Sequence, residues 1–451
     1  MNANTDHVIG AMLRYSKQRI KTLSMMIVMS ITMLTAGCGK EVTPEKPAPQ
    51  EISMNQLAER YVKLTLAVGQ HHDYYIDAYY GPKEWQPTDK LELDILLEQG
   101  QTLVEDMNQA KISNSEKARY DFLLVQAQSV VFFIQQLQGI QFSFDEESQA
   151  LYDATSPDIS EAEFDQALLE LNGLLPGEGP LNDRMAMFTK QFEIPKDKLD
   201  AVFRAAIKES RERTKQYIEL PEQESFTLEY VTDKVWSGYN WYKGNSFSLI
   251  QMNTDFPITI DRAIDLASHE GYPGHHVFNS LMEKHLVNGN GWIEYSVYPL
   301  FSPMSLLAEG SANFGIDVAF PEKERMAFEK DVLFPLAGLD SSKVDLYYSV
   351  QAVRKKLSYI DNVVAKRYLD GQIDKKTAQQ MLMKYALSSE KKSLQRIGFI
   401  EQNRAYVINY NLGQDIVRDY VERLSNGDEQ KRWQVFSELL AYPKTASMMK
   451  P

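Results

Sequence analysis

The sequence predicts a mainly α fold with a small β element beside the helix that carries its reactive side chains. Three observations predict it. Apolar residues recur at helical spacing through both halves of the chain, one short stretch reads as a strand, and four of the seven histidines fall within residues 269–285.

The helical pattern begins near Ser53. Tyr120, Leu123, Ala127, Val130, Ile134 and Leu137 recur every three or four residues, and Gly139 follows as a stop. Gly173 to Pro180, rich in glycine and proline, marks a loop within an otherwise continuous unit. Residues 53–220 therefore read as helical scaffold and 221–451 as the half that carries the chemistry. Asn245 to Thr254 is the best strand candidate. Beyond it, Thr259 is placed to cap a helix whose apolar face is Ile260, Ala263, Ile264 and Ala267, ending at His269 and Glu270 where Gly271 and Pro273 interrupt. Ser302 and Pro303 open another helix, with Glu309 two turns inside it. Leu346, Val350, Val353, Leu357, Ile360 and Val364 form a long stripe that stops near Gly371.

The first 37 residues differ chemically from the rest. Arg14, Lys17, Arg19 and Lys21 stand against Asp6 alone, and the apolar run Leu23 to Leu34 has about half the length of a bilayer-spanning helix. The order of basic region, apolar core and small residues is that of a signal peptide. Leu34-Thr35-Ala36-Gly37-Cys38 resembles the lipobox of bacterial lipoproteins, with Thr35 where a larger aliphatic residue is usual, so Cys38 is expected to be acylated. Residues 38–52, proline-rich and polar, suit a tether. Cys38 is the sole cysteine, so no disulfide supports the fold and stability must come from packing. Gly39 is not the aspartate that holds such proteins at the inner membrane; the expected location is the cell envelope, anchored to the outer membrane and facing the periplasm. The formal charge of −14, from 48 Lys and Arg against 62 Asp and Glu, argues against a nucleic-acid partner.

The chemistry concentrates in His269-Glu270-Gly271-Tyr272-Pro273-Gly274-His275-His276. Hydrolytic zinc sites combine imidazoles with a carboxylate, leave one position for water, and use a second carboxylate as base. His269, His275 or His276, and Glu309 are the candidate ligands of one Zn2+ per chain, with Glu270 as base. The usual zinc-peptidase helix spaces its histidines four apart, but here the fourth position is Pro273. A straight helix would separate His269 from His276 by about 10 Å along the axis, so the helix must be broken or wound differently. Pro273, Gly271 and Gly274 supply that distortion. Looping out two residues brings His275 to the one-turn position and makes it the preferred ligand. His276 is then left to bond substrate or a developing oxyanion. Asn313 or Asp317 can orient a ligand from behind. His71 and His72 are read as histidines outside the site.

The motif resembles the hallmark of a bacterial family called domain of unknown function 885, grouped with gluzincin-type metallopeptidases. Glu309-Gly310 matches that family's Glu-Gly pair, and Tyr410-Asn411-Leu412-Gly413, with Arg418 beyond, matches its late Tyr-x-x-Gly segment. Ser311 stands where members commonly carry tryptophan. The resemblance spans roughly residues 245–418 and implies a zincin-like metallohydrolase that cleaves peptides or small amides, with Tyr410 as a further catalytic residue. Two other readings share these residues: a non-catalytic envelope binding or assembly protein, and a zinc hydrolase of non-peptide amides or esters.

Overall fold

The computed structural model describes residues 52–451; the expected leader, Cys38 and the tether up to residue 51 lie outside them. The fold begins where the sequence supplies a cap. Ser53 and Gln56 bond each other's backbone amides in a capping box, starting α1 (Met54–Gly69). Its apolar face, including Leu57, Tyr61 and Val62, is buried. Six further helices complete the scaffold: α2 (Leu93–Gln109), α3 (Lys117–Leu137), α4 (Phe144–Tyr152), α5 (Glu161–Leu174), α6 (Leu181–Lys190) and α7 (Leu199–Lys215). The stripe predicted over residues 120–137 is the buried side of α3, and Gly139 follows it at φ +88°. The expected loop is shorter than its glycines suggest, because α5 runs through Gly173 to Leu174.

The β element is larger than the sequence disclosed. β1 (Ile76–Tyr79) lies within the scaffold half and pairs antiparallel with a distant strand, β5 (Val297–Pro299). A second sheet has the order β2-β4-β3, with β2 (Ser225–Val231) parallel and β3 (Gly238–Tyr242) antiparallel to the central β4 (Phe247–Asn253). The predicted strand Asn245 to Thr254 is thus β4, shortened because Asn245 and Ser246 take positive φ in the β3–β4 turn. The scaffold half is not only scaffold: β1 brings Asp77 to the reactive cluster.

The second half is helical as expected. It comprises α8 (Ile260–Leu266), α9 (His275–Met282), α10 (Pro303–Ala319), α11 (Glu322–Phe328), α12 (Val344–Lys355), α13 (Ile360–Leu369), α14 (Lys375–Tyr385), α15 (Glu390–Asn403), α16 (Ile408–Ser425) and α17 (Glu429–Ala441), with shorter turns between them. Thr259 holds the cap position of α8, but its hydroxyl bonds the Asp261 carboxylate at 2.5 Å. The long stripe is carried by two helices, since the chain turns between Lys355 and Ile360 while Leu357 stays buried.

Helix α10 is the hub. All its residues are buried except Asn313 and Asp317. It crosses α16 at Gly310 and Gly413, where a Cβ on Gly310 would lie 2.4 Å from the Gly413 carbonyl carbon and oxygen. The two glycine-bearing motifs are therefore two halves of one helix crossing. A buried ion pair, Arg119 to Glu294 at 2.5 and 2.9 Å, ties α3 to the turn before β5. Packing at the glycines is backbone on backbone, with no flexible side chain to yield. Gly310→Ala should accordingly destabilise the protein by about 1–3 kcal/mol, read as a lower urea midpoint; an unchanged midpoint would show that the two helices separate freely.

Candidate metal centre

Helix α8 does not end at His269; it widens. Ala267 to Gly271 form a π-helical turn, Tyr272 to Gly274 bend back, and α9 starts at His275. Gly274 makes the bend fit: its amide bonds the Ser268 carbonyl at 2.9 Å, and a Cβ there would sit 1.9 Å from the His269 carbonyl oxygen. Only glycine allows so close an approach. The six-residue separation thereby closes into contact, with His269 Nε2 and His275 Nε2 3.1 Å apart.

Glu309 completes a triangle from α10. Its Oε2 lies 3.2 Å from His269 Nε2 and 3.7 Å from His275 Nε2. The same oxygen is buried and receives no hydrogen bond, while Oε1 accepts from the Tyr406 hydroxyl at 2.7 Å. Burial alone would raise the Glu309 carboxyl, but the two imidazoles beside it, His269 and His275, outweigh burial and hold the group well below the usual carboxylate range. It is ionised.

One amide sets the state of His269. Asn313 Nδ2 donates to the Tyr410 carbonyl at 2.8 Å, so its oxygen is the atom 2.9 Å from His269 Nδ1. That nitrogen carries the proton, and in the neutral ring, the form that binds a metal, the Nε2 lone pair is then aimed at the centre of the triangle. The three donor atoms suit a tetrahedral cation. A point equidistant from atoms 3.1, 3.2 and 3.7 Å apart lies about 1.95 Å from each in their plane. Ligands at zinc-like distances in a regular tetrahedron require about 1.9 Å.

Glu270 stands beside the triangle, with a carboxylate oxygen within 4.8 Å of both imidazole donors. It is buried, and burial pushes its carboxyl up to about 7; His275 opposes the shift and Glu309 adds to it. β3 positions it. Asn240 Nδ2 donates to the Glu270 carbonyl at 2.7 Å, and a Cβ on Gly238 would lie 2.7 Å from Glu270 Oε1. Asp77 of β1, bonded by the Tyr239 hydroxyl, adds a third carboxyl; burial raises it to about 6 against the pull of Tyr239 and His275. Burial and the charges of Glu309 and Glu270 raise the Tyr410 phenol well above its ordinary value, with Arg396 opposing, so it stays protonated.

The structure thus brings together His269, His275, Glu309, Glu270 and Tyr410. It does not bring His276. That ring is fully buried on the other side of the bend, with Nδ1 2.8 Å from the Ser248 hydroxyl and Nε2 3.0 Å from Glu224 Oε2. Both nitrogens are engaged, so the expected contact with substrate or oxyanion is corrected to a structural role. Glu224 also accepts from the Tyr272 hydroxyl and from Arg211 at 2.8 and 2.5 Å. His71 and His72 lie elsewhere: His71 bonds the Leu91 carbonyl at 2.8 Å and His72 packs edge-on against Phe301.

Sequence reasoning missed Tyr406, Asp77, Gly238, Asn240 and Glu224. Only Tyr406 had a local signal, standing one turn before Tyr410.

No family model matches the chain, and no curated protein matches it. Among solved structures, a provisionally described lipoprotein from Colwellia psychrerythraea is similar at 14% identity and a TM-score of 0.49, covering 87% of this chain and 73% of that one. A protein known as BsuCP is similar at 11% identity and a TM-score of 0.42, covering 85% of this chain and 87% of its own.

The Glu224 network generates a test separate from the metal centre. Glu224→Ala leaves His276 and Tyr272 without their acceptor inside the protein, while Arg211 still reaches solvent. The variant should lose about 2–3 kcal/mol of stability in urea unfolding; an unchanged midpoint would mean that the network does not anchor the bend.

Proposed function

We propose that this chain is a zinc-dependent hydrolase of peptide bonds. One observation carries the reading: two imidazole nitrogens and a carboxylate oxygen converge at 3.1, 3.2 and 3.7 Å with a further carboxylate beside them. His269, His275 and Glu309 would hold the ion. When bound, it would polarise the scissile carbonyl and make water a stronger acid.

The remaining steps belong to the chain itself. Glu270 takes a proton from the attacking water and returns it to the leaving amine; burial, which raises its proton affinity, suits it to that exchange. Glu309 stays ionised and serves as ligand, so the two carboxylates divide the work through their surroundings. Tyr410, protonated throughout, donates to the oxygen that gains charge.

A strand edge favours peptides as substrates. The edge is not that of β4, which is paired on both sides. Antiparallel alternation directs the backbone of Gly238 and Asn240 in β3 away from β4, beside Glu270, where an extended chain can add by pairing. The same proposal makes the protein an envelope lipoprotein, anchored through Cys38 at the outer membrane and facing the periplasm; the lipobox-like segment before Cys38 supports it.

Glu270→Gln separates chemistry from binding. It should retain zinc and fold while turnover on a peptide library falls on the order of a hundredfold to ten-thousandfold. His269→Ala should lose the zinc itself, measured by elemental analysis. Full peptidase activity in Glu270→Gln, or no zinc in wild-type protein prepared without chelators, contradicts the mechanism.

A further inference from the structure

The only two residues of α10 that escape full burial, Asn313 and Asp317, both line one cavity of about 330 Å3. Arg262 and Asp265 of α8, Asp361 and Arg396 also line it. The cavity adjoins the metal centre. Asn313 lies four residues beyond Glu309, and Asp265 four before His269, so these two cavity residues each stand about 6 Å along a helix from a candidate ligand. An extended peptide advances about 3.4 Å per residue. A chain with its scissile carbonyl at the centre therefore reaches this wall within one or two residues.

Unspent hydrogen-bonding capacity decides what the cavity takes. Its carboxylates are engaged: Asp265 with Arg262 and Arg325 at 3.1 and 2.8 Å, Asp361 with Arg396 Nη2 at 2.8 Å, and Asp317 with Lys355 at 3.4 Å. Its guanidiniums are not exhausted. Arg396 has one carboxylate partner, Asp361 through Nη2, and Arg262 has one, Asp265 through Nη1, so the other terminal nitrogen of each guanidinium is uncommitted. Arg325 is spent on Asp265 and Glu329, whereas Arg262, Lys355 and Arg396 each hold a single carboxylate and keep further N–H donors. An ammonium would meet acids already neutralised, whereas an anion meets free N–H groups.

We propose that this cavity binds the free α-carboxylate at the C-terminal end of a peptide, through Arg396 and Arg262, and that the protein removes residues from that end. The inference rests on the hydrolase reading and names its substrate class. Water adds to the last peptide carbonyl and the C–N bond breaks. One water proton passes through Glu270 to the leaving amine, releasing a free amino acid and a peptide shorter by one residue.

The test compares N-acetylated tetrapeptides with a free C-terminal carboxylate and the same peptides as carboxamides. The free acids should be cleaved at the last bond with kcat/KM about ten- to a hundredfold higher, and should bind Glu270→Gln protein more tightly by a similar factor in calorimetry. In Arg396→Gln, with its fold checked by circular dichroism, the acid-to-amide ratio should fall toward one, and Arg396→Lys should restore part of it. Equal cleavage and equal binding of acids and amides overturn the cavity assignment while leaving the hydrolase standing. A binding preference for the acids without any turnover in the wild type supports the cavity assignment and overturns the hydrolase.

Discussion

The contact between the Gly310 and Gly413 backbones determines the geometry of the candidate metal centre. Helices that meet through side chains normally keep axes about 8–10 Å apart, and these two glycines remove the side chains that enforce such spacing. The approach lets short groups on α10 and α16 reach each other and the π turn. Glu309 precedes Gly310 and is held through Oε1 by Tyr406, which leads into α16. Asn313 spans from the Tyr410 carbonyl to His269. Ligand carboxylate, tautomer-setting amide and candidate oxyanion donor thus all depend on one crossing.

The opposite side of the centre comes from strands and the glycine bend. Gly274 lets the chain turn on itself so that His275 meets His269, and His276, the next residue, pins that turn from behind through Glu224. Three carboxyl groups then face two imidazoles in a poorly hydrated space, which is costly unless charge is compensated. The costs fall unequally. Glu309, beside both imidazoles, remains ionised, whereas Glu270 and Asp77 have raised proton affinity. A bound cation would relieve this concentration of negative charge and use the difference between the carboxyls, one as ligand and one as proton carrier.

Much of the candidate site was legible because its histidines and Glu270 are concentrated in sequence. Histidine is rare in this chain, so four within residues 269–285 stood out, and helix geometry alone favoured His275 by forbidding a straight path to His276. The same reasoning misjudged His276, whose partners Glu224 and Ser248 lie in segments that give no sign of pairing with it. β1, β3 and β5 are three to five residues long, too short for alternation to register, and β1 pairs with a strand more than two hundred residues away. Asp77 reaches the centre through that long-range pairing and Gly238 through the pairing of β3 with β4, so neither carries a local signal. The mainly α class, by contrast, rests on periodicity within single helices and was readable from the start.

X-ray absorption at the zinc edge of the purified, metal-loaded protein tests the central claim most directly. A single zinc per chain should show two imidazole nitrogens and carboxylate oxygen at about 2.0–2.2 Å, with one imidazole lost from the spectrum in His275→Ala and both kept in His276→Ala. A spectrum without imidazole, or one that loses an imidazole in His276→Ala and none in His275→Ala, would contradict the assignment of His269, His275 and Glu309.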